Sequence, residues 1–298
     1  MCGIVGLNVK DPALEAELGQ LLTPMLTAMS TRGPDSAGVA LYLPSVTDGR
    51  LRFSLRSSVG GFDWDELGHH LSSATGESVD VRVKDNTAVV EAADRPELVL
   101  AEVRARAPEV SVVGYGRSLE IYKDIGAPAD ICERYGIAEA AGYQAIGHTR
   151  MATESAVTTE HSHPFTPSAD LCLVHNGSFS NHATQRRRLE DIGVYCDTDN
   201  DSEVAARYVG QRLADGDDLH DALRMVLKEF DGFFTLLVTT RDEFAVVRDP
   251  FACKPLVVAE SPQYVAVASE YHALATLPEI ESAKVFEPMP EEVHAWSR

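Results

Sequence analysis

The chain opens with the stretch Met1-Cys2-Gly3-Ile4-Val5-Gly6-Leu7-Asn8-Val9, which predicts a short apolar strand with a cysteine at its start. Met1 is normally removed when a small residue follows it, and its removal would give Cys2 a free α-amine beside its thiol. An α-amine has a pKa of about 7.7–8.0, so a useful fraction is neutral near pH 7 and can act as a general base. This stretch therefore predicts a thiol nucleophile with its own base. The alternative is an ordinary small core cysteine.

The size and charge of the chain limit its partners. Its 298 residues, of which 44% are hydrophobic, suffice for one large domain or two small ones. The formal net charge of −20 argues against binding to nucleic acid or to anionic membrane surfaces. No apolar run approaches the roughly 18 residues of a membrane span, and no secretory signal pattern is visible. We therefore expect neither nucleic acid nor membrane as a partner.

The cysteines indicate a reducing compartment. There are five of them, an odd number, widely spaced and without a Cys-x-x-Cys pair. A disulfide framework or a zinc site is therefore not expected, and a cytoplasmic location is. His161 and His163 could ligate a metal, but they lack a second cluster of convincing spacing, so no metal site is expected. The cysteines are Cys2, Cys132, Cys172, Cys196 and Cys253.

The apolar pattern predicts two sheets covered by helical layers. Helical spacing runs over residues 12–30, and two further helices are expected over 202–214 and 219–230. Residues 60–142 alternate short helices and strands, and they are predicted to form a small inserted α/β unit. The remainder reads as short strands separated by turns.

Five polar clusters interrupt this apolar pattern. Several have a plain structural alternative: a turn for the first, a hairpin at Asn176-Gly177 and a helix cap at Asp201-Ser202-Glu203. Considered together, they indicate chemistry. A thiol needs an electrophile, an arginine and an aspartate suit the two charges of an amino acid, and an amide beside a glycine N–H suits an oxyanion. The clusters are residues 32–38, 147–153, 161–165, 175–178 and 197–203.

In their order, these clusters resemble the class II glutamine amidotransferases, which are N-terminal nucleophile (Ntn) hydrolases. The resemblance covers nearly the whole chain except about residues 60–142. The matching motifs are Met1-Cys2-Gly3-Ile4, Arg32-Gly33-Pro34-Asp35, Gly147-His148-Thr149-Arg150, His175-Asn176-Gly177, Asp201-Ser202-Glu203, Arg248-Asp249-Pro250, Lys254-Pro255-Leu256 and Ala268-Ser269-Glu270.

The resemblance implies a fold and a role for each site residue. The fold is α+β, an αββα sandwich of two antiparallel sheets over residues 2–298, with the 60–142 unit inserted. Cys2 is the nucleophile, and Asn176 and Gly177 form the oxyanion hole. The implied substrate-binding residues are Arg150 and its neighbour Thr153 for the α-carboxylate, Asp201 for the α-ammonium, Arg32 in the loop near the thiol, and His175, which orients the Asn-Gly turn.

The chain ends soon after its last predicted strand, so we expect a separate amidotransferase subunit that hydrolyses glutamine and delivers ammonia to a synthase on another chain. This arrangement is most similar to the amidotransferase subunit of N-methylglutamate synthase or a related glutamate synthase-like protein. The resemblance implies no cofactor in this chain, and FMN and an iron–sulfur cluster on the synthase subunits of a hetero-oligomeric complex.

Two other functions stay open at this point. The chain could be a catalytically silent scaffold subunit, or an Ntn hydrolase of another amide. The inserted unit is either a docking surface for the partner or an addition at a tolerant loop.

Overall fold

The computed structural model describes residues 2–151 and 157–298. Within these ranges the strands form three antiparallel sheets. The first contains, in spatial order, β14 (Lys284–Phe286), β12 (Val257–Glu260), β13 (Tyr264–Ala268), β1 (Gly3–Val9), β8 (Gln144–Arg150), β2 (Ser36–Tyr42) and β7 (Leu119–Ile125). The second contains β15 (Val293–Ser297), β11 (Glu243–Arg248), β10 (Gly232–Thr239) and β9 (Cys172–Phe179). The third contains β4 (Asp80–Lys84), β5 (Thr87–Ala93), β3 (Arg50–Ser57) and β6 (Val110–Gly116).

Helices cover the outer faces of these sheets. The α-helices are α1 (Leu18–Ala28), α2 (Trp64–Thr75), α3 (Pro96–Arg106), α4 (Pro128–Arg134), α5 (His182–Asp191), α6 (Asp201–Ala214) and α7 (Leu219–Glu229). The predicted helix over residues 12–30 begins with a 3-10 segment, Pro12–Glu17, before α1. No helix in the described part of the chain combines the length and the apolar character that crossing a membrane requires.

The first two sheets pack face to face, and the alternation of side chains along β1 explains this arrangement. Val5 and Leu7 point to one side, into the core beneath α1 and α4. Ile4 points to the other side, into the apolar gap between the two sheets. Gly6 also faces this gap, because a Cβ there would lie 2.6 Å from Cδ2 of Leu237 in the second sheet. The glycine therefore permits the close approach of the sheets.

The outer face of the second sheet is covered by α5, α6 and α7. Leu173 and Val238 of the sheet pack there against Val209 of α6 and Val226 of α7. The layers therefore follow the order helix, sheet, sheet, helix. This order confirms the predicted sandwich of two antiparallel sheets.

The third sheet and helices α2 and α3 have an apolar core of their own, which includes Phe53, Leu71 and Val103. This unit begins with β3 and ends with β6, so its limits differ from the predicted 60–142. The strand β7 pairs with β2 in the first sheet, and Ile131 of α4 packs in the core beneath α1. Helices and strands alternate in the same way in the unit from β3 to β6 and in the segment from β7 to α4. Only the tertiary pairing shows which sheet each strand joins.

Candidate active site

Two neighbouring strands bring Cys2 and Arg150 to the same edge of the first sheet. Gly3 of β1 pairs with Thr149 of β8, so the next position of this antiparallel pair places Cys2 opposite Arg150. Ile4 and Ile146 of the same strands face the gap between the sheets. By alternation, Cys2 and Arg150 lie on this gap face too. The candidate site is therefore the end of the gap where β1 begins.

The second sheet supplies Asn176 to this end of the gap. Cys172 and Val174 of β9 lie in the gap core, and Asn176 follows them at the next position of the same face. Its Nδ2 atom donates a hydrogen bond of 3.1 Å to the backbone carbonyl of Cys2. A side-chain amide carries two N–H donors, so one of them is used here. The contact joins the two sheets at the predicted nucleophile.

Arg32 holds the same carbonyl from the other side. Its Nε donates to the Cys2 oxygen at 2.9 Å, and its Nη1 donates to Glu270 at 2.6 Å. This guanidinium lowers the pKa of the Glu270 carboxyl. The Nη2 atom of Arg32 is buried and has no hydrogen-bond partner among the described residues. Arg32 was predicted to bind substrate, and its direct contacts here are with Cys2 and Glu270.

Ser269, which follows β13, fixes the chain just after Cys2. Its hydroxyl accepts a hydrogen bond of 2.9 Å from the Ile4 N–H, and its own N–H donates to the Ile4 carbonyl at 2.9 Å. The motif Ala268-Ser269-Glu270 was recognised in the sequence without a role for its residues. The structure gives Ser269 a direct contact with the start of β1, and Glu270 an indirect one through Arg32.

Gly177 occupies a position that requires glycine. Its φ is +146°, and a Cβ at this position would lie 1.8 Å from the carbonyl oxygen of Phe233 in β10. Residues that carry a side chain rarely adopt this backbone conformation. The predicted oxyanion residues Asn176 and Gly177 thus lie in succession at the end of β9, beside Cys2.

Asp201 is the first residue of α6 and is tied to the end of β9. Its Oδ2 accepts a hydrogen bond of 2.9 Å from the N–H of Phe179. Its Oδ1 lies 3.2 Å from the hydroxyl of Ser202, which in turn lies 2.8 Å from Nδ1 of His175. The side chain of Asp201 stays 22% exposed. This network links the predicted ammonium ligand to the strand that carries Asn176.

Three buried histidines pack together behind the site. Nε2 of His148 lies 3.1 Å from the carbonyl oxygen of His175, and the rings of His148 and His163 are 4.0 Å apart. Burial lowers the pKa of His148 to about 3 and also lowers the pKa of His163 and of His175. These side chains are therefore neutral near pH 7. They fill the space behind the site without adding charge.

Two further predictions concern Thr153 and the metal candidates. Thr153 lies outside the described residues. His161 is engaged on both ring nitrogens, with Thr158 at 2.7 Å and with Asp199 at 2.5 Å. Elsewhere in the described ranges, potential metal ligands converge at Asp218, His220 and Asp221, but Asp218 already caps the N–H of Asp221 at 2.7 Å.

Comparisons with known proteins identify the family to which this sequence is similar. A family model described as a glutamine amidotransferase domain matches residues 148–276. The chain is 50% identical over 297 residues to the glutamine amidotransferase-like protein GlxB of Rhizobium meliloti, which covers 99% of this chain and 98% of that protein. It is 32% identical over 176 residues to an amidophosphoribosyltransferase of Methanocaldococcus jannaschii, across 58% of this chain and 37% of that one.

Among solved structures, the chain is similar to the glutamine phosphoribosylpyrophosphate amidotransferase from B. subtilis. The TM-score is 0.63 at 19% identity, and the match covers 100% of this chain and 49% of that one. This chain thus spans about half the length of that structure. At this identity the likeness shows a shared fold.

Proposed function

The chain belongs to the glutamine amidotransferase family, and from this we propose that it hydrolyses glutamine at Cys2 and supplies the ammonia to a synthase on a partner chain. The observation that carries the proposal is the double contact on the Cys2 carbonyl. Arg32, in the loop before β2, and Asn176 of the second sheet both donate to that oxygen. A strand end held from both sides keeps the nucleophile close to the amide and glycine donors.

In the proposed reaction, the thiolate of Cys2 attacks the γ-carbonyl carbon of glutamine. The resulting oxyanion accepts hydrogen bonds from Nδ2 of Asn176 and the N–H of Gly177. The neutral α-amine of Cys2, freed by removal of Met1, takes the proton of the thiol and then passes it to the departing nitrogen, and ammonia leaves. Water then hydrolyses the γ-glutamyl thioester to glutamate and restores the thiol.

Charged groups hold the two ends of the amino acid in this scheme. Arg150, with Thr153 beside it, binds the α-carboxylate, and Asp201 binds the α-ammonium. The exposed fraction of the Asp201 carboxylate supports this assignment, since a ligand can reach it. His175 has a lowered pKa and is neutral near pH 7, and its contact with the Ser202 hydroxyl supports a role in orienting the end of β9.

Intact mass spectrometry of the purified protein is the first test, with and without 6-diazo-5-oxonorleucine, followed by peptide mapping. Loss of Met1 and one adduct on Cys2, blocked by excess glutamine, would support the proposal. A retained Met1 on a protein purified from its native host would contradict the proposed base. A trimmed protein that hydrolyses another amide but not glutamine would contradict the substrate.

A second test removes one oxyanion donor. Asn176→Ala should lower glutamine turnover by about 10²–10³ while glutamine still binds, because the lost hydrogen bond forms mainly in the transition state. The matched control is Asn181→Ala, whose amide contacts the carbonyl of Glu229 at 2.9 Å. Turnover of Asn176→Ala equal to that of this control would exclude the assigned role.

We further propose that the ammonia acceptor is a synthase of the N-methylglutamate synthase or glutamate synthase-like type. The near full-length match to a relative of the same size supports a separate amidotransferase subunit. The protein purified from its native host should co-elute with subunits that carry FMN and an iron–sulfur cluster, detected by absorbance and iron analysis. Elution as a monomer at physiological concentration would contradict this part of the proposal and leave the glutaminase assignment standing.

A further inference from the structure

A cleft lies between the third sheet and the body of the sandwich. Its volume is about 270 Å³. The third sheet contributes Val110–Val113 and α3 contributes Arg104, while the body contributes Lys123 of β7, the segment 159–167 and the start of α6. None of Cys2, Arg150, Asn176 and Asp201 lines it. We call this space the insertion cleft.

Lys123 is the feature of the insertion cleft that needs an explanation. Its residue is only 8% exposed, and its Nζ donates to the carbonyls of Ser162 at 2.8 Å and Pro164 at 3.3 Å. An ammonium has three donor protons, so one remains. No carboxylate among residues 2–151 and 157–298 lies within 4.0 Å of this nitrogen. Glu160 and Glu203 favour the ammonium only from more than 4.0 Å away, and its direct contacts are neutral. Such a buried ammonium is costly unless an anion joins it.

The charges around the insertion cleft nearly balance. Arg207 is paired with Asp197 at 2.7 Å and with Glu203 at 3.2 Å, so these three groups keep one net negative charge. Arg56, another lining residue, is paired with Asp124 at 2.8 Å. The lining charges that form no ion pair within the described ranges are therefore Lys123, Arg104 and Glu160. Their one net positive charge offsets the negative charge left around Arg207, so the cleft is about neutral in a chain of net charge −20. Among its described lining residues, Lys123 is the buried cation without an ion pair.

The remaining walls combine apolar side chains with the hydroxyls of Ser111, Thr159, Thr166 and Thr198. Val110, Val112 and Val113 line one side, and Phe165 with Pro167 lines the other. The Nζ of Lys123 also lies 5.1 Å from the centre of the Phe165 ring. An inorganic phosphate would leave the valines and Phe165 without a contact, whereas a carboxylate on a short carbon chain would contact both these walls and the ammonium.

We propose that the insertion cleft is a binding site for a small organic carboxylate, whose carboxylate contacts Lys123 and whose carbon chain packs between the valines and Phe165. Arg104, at the mouth of the cleft, attracts the ligand and binds a second carboxylate where one is present. The lowered pKa of Lys123, about 8, agrees with an ammonium that burial disfavours. Carboxylate binding would restore that pKa towards its ordinary value.

Isothermal titration calorimetry at low ionic strength tests this site on the full chain, with succinate, glutarate and inorganic phosphate as the probes. The assay requires no glutamine turnover, so its result is independent of the proposed activity. We expect saturable binding of one succinate or glutarate per chain, and weaker binding of phosphate. Lys123→Met should lower the affinity for the carboxylate at least about tenfold, because a charge-assisted hydrogen bond is lost.

Arg104→Gln gives a second variant that leaves the core untouched, and it should weaken the dicarboxylates about threefold or more. The matched control is Arg106→Gln on the same helix, which does not line the cleft and should bind like the parent protein. The proposal is overturned if neither dicarboxylate binds saturably, if phosphate binds as tightly, or if Arg104→Gln and a folded Lys123→Met bind like the control. If Lys123→Met does not fold, the comparison of Arg104→Gln with Arg106→Gln decides.

Discussion

The backbone at Gly177 tolerates no side chain, and this makes Gly177→Ala a quantitative test of the site. A Cβ there would lie 1.8 Å from the carbonyl oxygen of Phe233, and real Cβ contacts essentially never fall below 3.0 Å. The two strands must therefore separate locally by roughly 1.2 Å. The movement occurs at the residue whose N–H is proposed to bind the oxyanion.

A displacement of about 1 Å in a catalytic group costs about 10² in rate. We therefore expect Gly177→Ala to lower the kcat of glutamine hydrolysis by about that factor. The unfavourable φ and the steric overlap should together lower the free energy of unfolding by about 2–4 kcal/mol. Glutaminase kinetics and urea unfolding measure the two effects on the same samples.

The matched control is Gly193→Ala, where φ is +84° and no atom lies within 4 Å of the added Cβ. This variant carries the backbone strain without the steric overlap, so it should lose about 1 kcal/mol of stability and keep its kcat. If Gly177→Ala matches Gly193→Ala in both kcat and unfolding free energy, the close contact with Phe233 does not constrain the site and the reasoning fails.

Two further predictions concern the groups around Cys2. Arg32→Lys keeps the charge but loses one of the two contacts of the guanidinium, so kcat should fall about tenfold. The control is Arg50→Lys, at an exposed ion pair. An equal kcat in both variants would contradict the role of Arg32. Burial lowers the pKa of His148 from 6.5 to about 3 in the folded state. The contribution of its neutral form to the free energy of unfolding is therefore fully present above pH 6.5. It is lost as the pH falls towards 3, by at most about 5 kcal/mol. Between pH 7 and pH 5, the free energy of unfolding measured by urea titration should therefore fall less in His148→Gln than in the parent protein. Parallel pH profiles for the two proteins would argue against the buried His148 as the cause.

The sequence determined the local structure and the kinds of chemistry available. Period-2 and helical spacing predicted most of the strands together with the long helices, because each apolar face must be buried. The helix α5 was not predicted, since its sequence His182–Asp191 buries only Gln185 and Leu189 and shows no apolar stripe. The family motifs indicated Cys2, Asn176 and Gly177 together with the charged residues for an amino acid.

Only the tertiary structure decided which of these residues meet and what else they contact. Cys2 and Asn176 are 174 positions apart, and Arg32 and Glu270 are 238 apart, so no local pattern reports either contact. Sheet pairing also gives the inserted unit limits that differ from those predicted. The same pairing forms the insertion cleft around Lys123. The physical reason is that propensity and periodicity act over a few residues, whereas strand pairing and the packing of sheet on sheet are set by the energy of the whole fold.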